Sequence, residues 1–309
     1  MTSILINIQG TIIIYLLCGV LLKSNKIIKA VDMKFLSTFI LDFILPINVF
    51  SACITSFTLE SFKAGFISLL IAIIIEVCIY LATKIKWIKF TIEQMSIVKY
   101  GLLVSNGGLI GTPVIEGLYG SLGVMYANIF LIPTRILAYS AGESLFNPSM
   151  NKTIKDIMIN IISNRVLLAT IFGIILALLQ IKLPIFLIQA LTNISKCLSP
   201  LSLILVGSLL AVTTKLNWII GIKVLFISFI RQFAIPLSIF VILIVFRIPK
   251  DITSIIVLLM GMPVGSTCAI FASKYGGDEG FASLSVFVST ITATFSLIIL
   301  MQLIETFLC

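Results

Sequence analysis

The 309-residue sequence contains no histidine, which removes the commonest metal ligand and the commonest general base together. Charge is scarce as well: Asp, Glu, Lys and Arg make up 11% of the chain, against about 25% in soluble domains. Too few charged side chains remain to cover a surface facing water. Six cysteines are scattered at Cys18, Cys53, Cys78, Cys197, Cys268 and Cys309, with no CxxC spacing. They read as small buried residues, not as a disulfide framework or a metal site. No GxxxxGK[ST] phosphate loop occurs, and no paired carboxylate or nucleophile–base spacing is evident. An enzyme is therefore the least favoured class, and neither a metal nor an organic cofactor is expected. The opening Met1-Thr2-Ser3-Ile4 has no basic segment and no small-residue cleavage site, so the first apolar stretch is expected to be a retained helix.

What is present is apolar: 60% of positions are hydrophobic. A membrane-spanning helix needs about 20 such residues. Runs of suitable length fall at Ser3–Leu22, Phe35–Ser56, Gly65–Thr83, Ser96–Tyr119, Leu122–Phe146, Val166–Ile181, Ile194–Val212, Trp218–Phe246, Ile252–Ala272 and Phe281–Phe307. Ile185–Leu191 is apolar but too short to span, and is expected at the membrane surface. The fold class expected is thus an all-α integral membrane protein of ten transmembrane helices embedded in a lipid bilayer. The polar stretch Asn147-Pro148-Ser149-Met150-Asn151-Lys152 divides the runs five and five, which sets expected segments of 1–146, 147–165 (a cytoplasmic linker) and 166–309.

Basic residues fix the expected orientation. With the N-terminus outside, fourteen Lys and Arg fall on the cytoplasmic side and five on the outer side, while Arg135 and Arg231 lie within helices. That asymmetry predicts a multi-pass cell-membrane protein with both termini outside. The formal charge of +9 sits in short loops without aromatic interleaving, which argues against a nucleic-acid partner.

The two halves echo each other. Gly111-Thr112-Pro113-Val114 in the fourth run is matched 150 residues later by Gly261-Met262-Pro263-Val264 in the ninth, and Pro46 is matched 154 residues later by Pro200. Five helices per repeat, an odd number, require the halves to be inverted in the membrane. Proline within a helix removes a donor and clashes with the carbonyl four residues back, and it pushes the preceding residue, here Thr112 or Met262, out of helical geometry. Thr112-Pro113 reads as an N-cap with proline at the first helical position. Two broken helices whose N-termini meet in hydrocarbon would offer N–H groups and positive dipole ends, an arrangement suited to a carboxylate. The alternative is a pair of structural kinks.

At this point the residues show a resemblance. Asn106-Gly107-Gly108-Leu109-Ile110-Gly111-Thr112-Pro113 followed by Leu118-Tyr119-Gly120 resembles the fourth-helix signature of the auxin efflux carrier family, which includes bacterial malate or malonate permeases and plant auxin exporters. The likeness continues through Ile44-Leu45-Pro46, Val206-Gly207-Ser208-Leu209-Leu210-Ala211, Met262-Pro263, Lys274-Tyr275-Gly276-Gly277-Asp278 and Ser289-Thr290. It implies two inverted five-helix repeats with broken, crossing helices 4 and 9, and carboxylate transport by alternating access. Asn106 resembles the family's asparagine at the crossover. The chain departs from the family at Asp42, where a neutral polar residue is usual four positions before the proline.

Polar residues within the spans complete the candidate site, because each is costly there. Asn106 either caps the broken helix or contacts substrate, with Gly111, Thr112, Pro113, Gly261 and Pro263 forming the breaks. Arg135 and Arg231 suit a carboxylate, or else neutralise Asp42, Glu76 or Glu143. Ser266 and Thr267 offer hydroxyls or pack between helices, and Asn48 is a weaker candidate. Asp42 and Glu76 are candidates for binding a coupling H+ or Na+. The function expected is a secondary transporter of a small organic anion, with an anion channel or facilitator of the same fold as the alternative. A homodimer stays open.

Overall fold

The computed structural model describes residues 2–56, 58–84, 90–147, 155, 159, 163–181, 183–210 and 218–308. The expected linker 147–165 lies mostly outside these residues, as do Cys309 and several of the lysines counted for orientation. No strand occurs among the described residues; the helices are joined by turns and by one isolated antiparallel bridge.

Among the described residues, six helical stretches are long and apolar enough to cross a membrane: Val31–Ser56, Glu60–Ala82, Gly107–Gly142, Ile185–Leu209, Gly221–Val245 and Glu279–Leu308. Gly10–Ser24 and Arg165–Leu178 are apolar but shorter. Ile185–Leu191 begins the 12-residue helix Ile185–Lys196, which meets the next helix at Cys197; together they make the apolar stretch Ile185–Leu209.

The chain forms two compact units, each drawing segments from both halves of the sequence. The first comprises Met1–Phe66, Gly108–Ile129 and Ile162–Val212. Within it α1 (Thr2–Ser24) packs against α9 (Leu198–Leu210), and α3 (Leu45–Ser56) packs against α7 (Arg165–Leu178) and α8 (Ile185–Lys196). The α1–α9 contact brings backbone against backbone. A Cβ on Gly207 would fall under 3.0 Å from the Leu16 carbonyl oxygen, and one on Gly19 under 3.0 Å from that of Ile204. Ser208 Oγ donates to the Gly19 carbonyl at 3.1 Å. Small residues are what permit such an approach where lipid supplies no hydrophobic drive between helices.

The second unit comprises Ile67–Gly107, Phe130–Ile161 and Thr213–Cys309. It contains α5 (Ile92–Leu103), α10 (Trp218–Phe229), α11 (Ile235–Val245), α12 (Lys250–Met260), α13 (Thr267–Tyr275) and α14 (Glu279–Leu308), together with parts of α4 (Leu59–Ala82) and α6 (Thr112–Leu137). Here α14 packs against α10, α12 and α13.

Three prolines share one device. Pro46, Pro113 and Pro236 each follow a five-residue π-helical turn, at Ile40–Ile44, Gly107–Gly111 and Ile230–Ala234, with one residue between turn and proline. Leu45 N–H donates to Ile40 and Ile235 N–H to Ile230, five residues back rather than four. The widened turn makes room for the ring and absorbs the missing donor, so these helices bend and continue. This corrects the expected position of the fourth-helix break: Thr112 is helical and Pro113 sits in the first turn of α6, not after irregular backbone. Gly120, with φ of 59°, then interrupts α6 between the fourth and fifth apolar runs.

Candidate functional site

The irregular backbone lies at Val104–Asn106, well ahead of Pro113 in the fourth run, and around the proline in the ninth. Helix α5 ends at Leu103, with Val104 extended, and a helical conformation resumes at Gly107. Helix α12 ends at Gly261, and α13 starts after Ser266. Met262 and Pro263 leave the helix, as proline chemistry demands of them.

The two breaks pair with each other. Ser105 and Val264 form the antiparallel bridge. Asn106 N–H donates to the Pro263 carbonyl at 2.8 Å, and Gly265 N–H donates to the Val104 carbonyl at 3.0 Å. Backbone groups released by both helices thus satisfy one another in a place where water is scarce. Val264 N–H donates to Ser289 Oγ on α14 at 3.1 Å.

The π turn Ile230–Ala234 holds this pairing from behind with two consecutive side chains. Arg231 Nη1 donates to the Leu102 carbonyl at 3.0 Å, in the last turn of α5 before its break. Gln232 Nε2 donates to the Ser289 carbonyl, and Gln232 Oε1 accepts from Thr292 Oγ1 at 2.6 Å. Both side chains are fully buried. An inserted residue in the turn sets successive side chains at an altered angle, and here each reaches one of the two breaks or its support.

Within this frame Asn106 is 5% exposed, and its Nδ2 has no hydrogen-bond partner. A buried amide donor without an acceptor costs about 1–3 kcal/mol. Pro263, whose carbonyl accepts from Asn106 N–H, and Gly261 are buried as well, while Ser266 and Thr267 are half-buried. The Thr267 hydroxyl is engaged with the Tyr100 hydroxyl at 2.6 Å, so it holds α13 to α5.

The other sequence candidates are distributed differently. Arg231 acts electrostatically on Glu76, which accepts a hydrogen bond from Thr134. Arg135 is half-buried on α6 and has interaction partners of its own. Glu143 accepts hydrogen bonds from Tyr275 and Lys274, and Tyr275 together with Glu143 holds the Lys274 ammonium above its ordinary titration range. Gly111, Thr112 and Pro113 are buried and belong to the first unit, with Asn48 and Asp42. Asn48 is buried with its Nδ2 turned to both oxygens of Glu116 at 3.4 Å. Asp42 pairs with Arg165 at 3.0 Å, with side chains 45% and 62% exposed; neither Arg135 nor Arg231 is its partner.

The sequence does not single out Glu116, Thr134 or Tyr100 as site residues. Ser289 belongs to the Ser289-Thr290 resemblance, and Gln232 follows Arg231 within an apolar span, where a polar side chain is costly.

None of the curated proteins compared with the chain matches it. The family described as membrane transport protein matches residues 4–301. That span contains both breaks, the pairing between them and every candidate residue above, and the chain accordingly belongs to this membrane transport protein family, of auxin efflux carrier type, as a multi-pass membrane transporter.

Proposed function

We infer that the chain is a secondary transporter that moves a small organic carboxylate across the cell membrane by alternating access. In this reading ten spans form two inverted five-helix repeats with both termini outside, and the paired breaks form the binding site. The observation that supports it is the Asn106 amide: a 95% buried donor without an acceptor, held beside two interrupted helices by its own backbone bond to Pro263. A donor placed at such cost is suited to an acceptor that arrives from outside, and a carboxylate supplies two acceptor oxygens. Ser266, at the N-terminus of α13, adds a hydroxyl and a favourable dipole end. Arg231 then serves as a clamp on α5 and not as a direct ligand.

The test is a thermal-shift screen of the purified protein against mono- and dicarboxylates and indole acids. A carboxylate should stabilise the wild type and leave Asn106→Ala unshifted, a loss of at least tenfold in affinity or about 1.4 kcal/mol. Counter-flow uptake of that carboxylate in proteoliposomes separates carrier from channel. An Asn106→Ala protein that binds and transports like the wild type sinks the assignment.

A further inference from the structure

Glu76, on α4, is 1% exposed. Its Oε1 accepts from Thr134 Oγ1 on α6, while Oε2 is buried with no partner. Arg231, from the π turn, is also 1% exposed, and its Nε too is buried without a partner. Among the described residues these are the groups that act on Glu76: the Thr134 hydroxyl and the Arg231 guanidinium.

Buried charges kept for structure are paired directly and have their remaining lone pairs and protons satisfied. Glu76 and Arg231 form no direct ion pair; they act on each other through space, and each leaves one buried atom without a partner. A carboxyl group that changes charge cannot be fully matched in both forms, because the anion only accepts and the acid must also donate. The Thr134 hydroxyl serves either form by donating to Oε1, and Oε2 is the free position for a proton. Arg231 stays charged throughout, so it reads the change without sharing it. Its Nη1 already grips the Leu102 carbonyl, two residues before Val104, whose own carbonyl accepts from Gly265 in the pairing of the breaks. One guanidinium therefore lies in the field of a buried carboxyl while gripping the backbone of the broken helix. Glu305 Oε1 is also buried without a partner, but it lies on α14 near the end of the chain, far in sequence from the breaks. Three other acids have side-chain partners. Glu143 is met by Tyr275 and Lys274, Glu116 by Asn48, and Asp42 by Arg165 at an exposed position.

We propose that Glu76 is the proton-binding site that couples this transporter to protons, with Arg231 the positioning residue that transmits its charge state to the break at Val104–Asn106. The proposal rests on the transporter reading above. A proton from solvent hydronium bonds to Oε2 and turns the carboxylate into a neutral acid; the same O–H bond later breaks to return the proton to water. Relieved of its counter-charge, Arg231 shifts between Glu76 and the Leu102 carbonyl, and the hold on the end of α5 changes.

The test uses the full chain in lipid nanodiscs with no substrate, so it is independent of whether Asn106 binds a carboxylate. Infrared difference spectra across a pH titration should show the carbonyl stretch of a buried carboxylic acid. That band should vanish in Glu76→Gln, shift in frequency in Thr134→Val, and appear at lower proton concentration, by tenfold or more, in Arg231→Gln. Hydrogen exchange over residues 102–106, corrected for intrinsic rates, should follow the same titration in the wild type and lose it in Glu76→Gln. Should Glu76→Gln fail to fold, Glu76→Asp must move the band instead. A titrating band that survives Glu76→Gln overturns the assignment of the proton. Exchange at 102–106 that ignores the titration in the wild type overturns the role of Arg231.

Discussion

The two units solve the same problem, holding helices together without water, in opposite ways. The first removes side chains: at Gly19 and Gly207 the backbones of α1 and α9 touch, and one Ser208 hydroxyl closes the contact. The second inserts polar groups: two breaks, Arg231, Gln232 and Ser289 form a lattice of hydrogen bonds. A steric contact is satisfied once made, whereas a polar lattice can leave groups waiting. Among the described residues, every buried side-chain atom without a partner lies in the second unit except Asn48 Oδ1. Close packing has one low-energy arrangement, whereas an unsatisfied buried donor or acceptor is a group that a ligand or a second state can engage. Under the proposed function the first unit then supplies support and the second the part that responds.

Substitutions can break that contrast, and the largest effect belongs to the supporting side. In Gly207→Ala the added Cβ meets the Leu16 backbone, which has no rotamer to yield. Overpacking of this kind costs about 1–3 kcal/mol, and a backbone clash belongs at the upper end. Thermal unfolding in detergent should show a clear drop in midpoint and a lower folded yield. A Gly207→Ala protein as stable as the wild type would mean that α1 and α9 slide easily, and the contrast with the second unit would dissolve.

Next in size is Ser289→Ala. It deprives the buried Val264 N–H of its acceptor, at a cost of about 1–3 kcal/mol. Asn106→Leu should behave oppositely. The amide it removes has no partner, so stability should hold to within about 0.5 kcal/mol while carboxylate stabilisation disappears. Measuring both variants by the same thermal assay, with and without carboxylate, separates a group that builds the site from one that waits in it. Equal destabilisation by the two would show that Asn106 is structural.

How much of this was written in the sequence depends on how far apart the partners lie. The Gly-Pro pairs at Gly111/Pro113 and Gly261/Pro263 marked both interrupted helices, because proline acts on its own neighbourhood. The ninth-run break fell at its proline. The fourth-run break did not, because the π turn at Gly107–Gly111 accommodates Pro113, and Val104-Ser105-Asn106 contain no helix breaker. Their extended form comes from pairing with residues about 160 positions away, which no local rule reports. Thr134 beside Glu76 and Glu116 beside Asn48 were hidden for the same reason. Asp42 was legible as a charge near Pro46, but its exposure and its partner Arg165 belong to tertiary packing.

The smallest expected effect concerns Asp42. Its carboxylate pairs with Arg165, the first residue of α7, where an acid also favours the helix N-terminus. Both side chains are well exposed, so the pair contributes about 0.2–1 kcal/mol and weakens as salt screens it. A double-mutant cycle of Asp42→Asn with Arg165→Gln should return a coupling energy in that range at low salt and less at high salt. The pH profile of transport should be unchanged in Asp42→Asn, since the structure couples this acid to a surface arginine and not to the breaks. The opposite pattern, no coupling energy together with a flattened pH profile, would make Asp42 the proton carrier. The responding part would then extend into the first unit, and the division between support and response would have to be redrawn along the π turn at Ile40–Ile44.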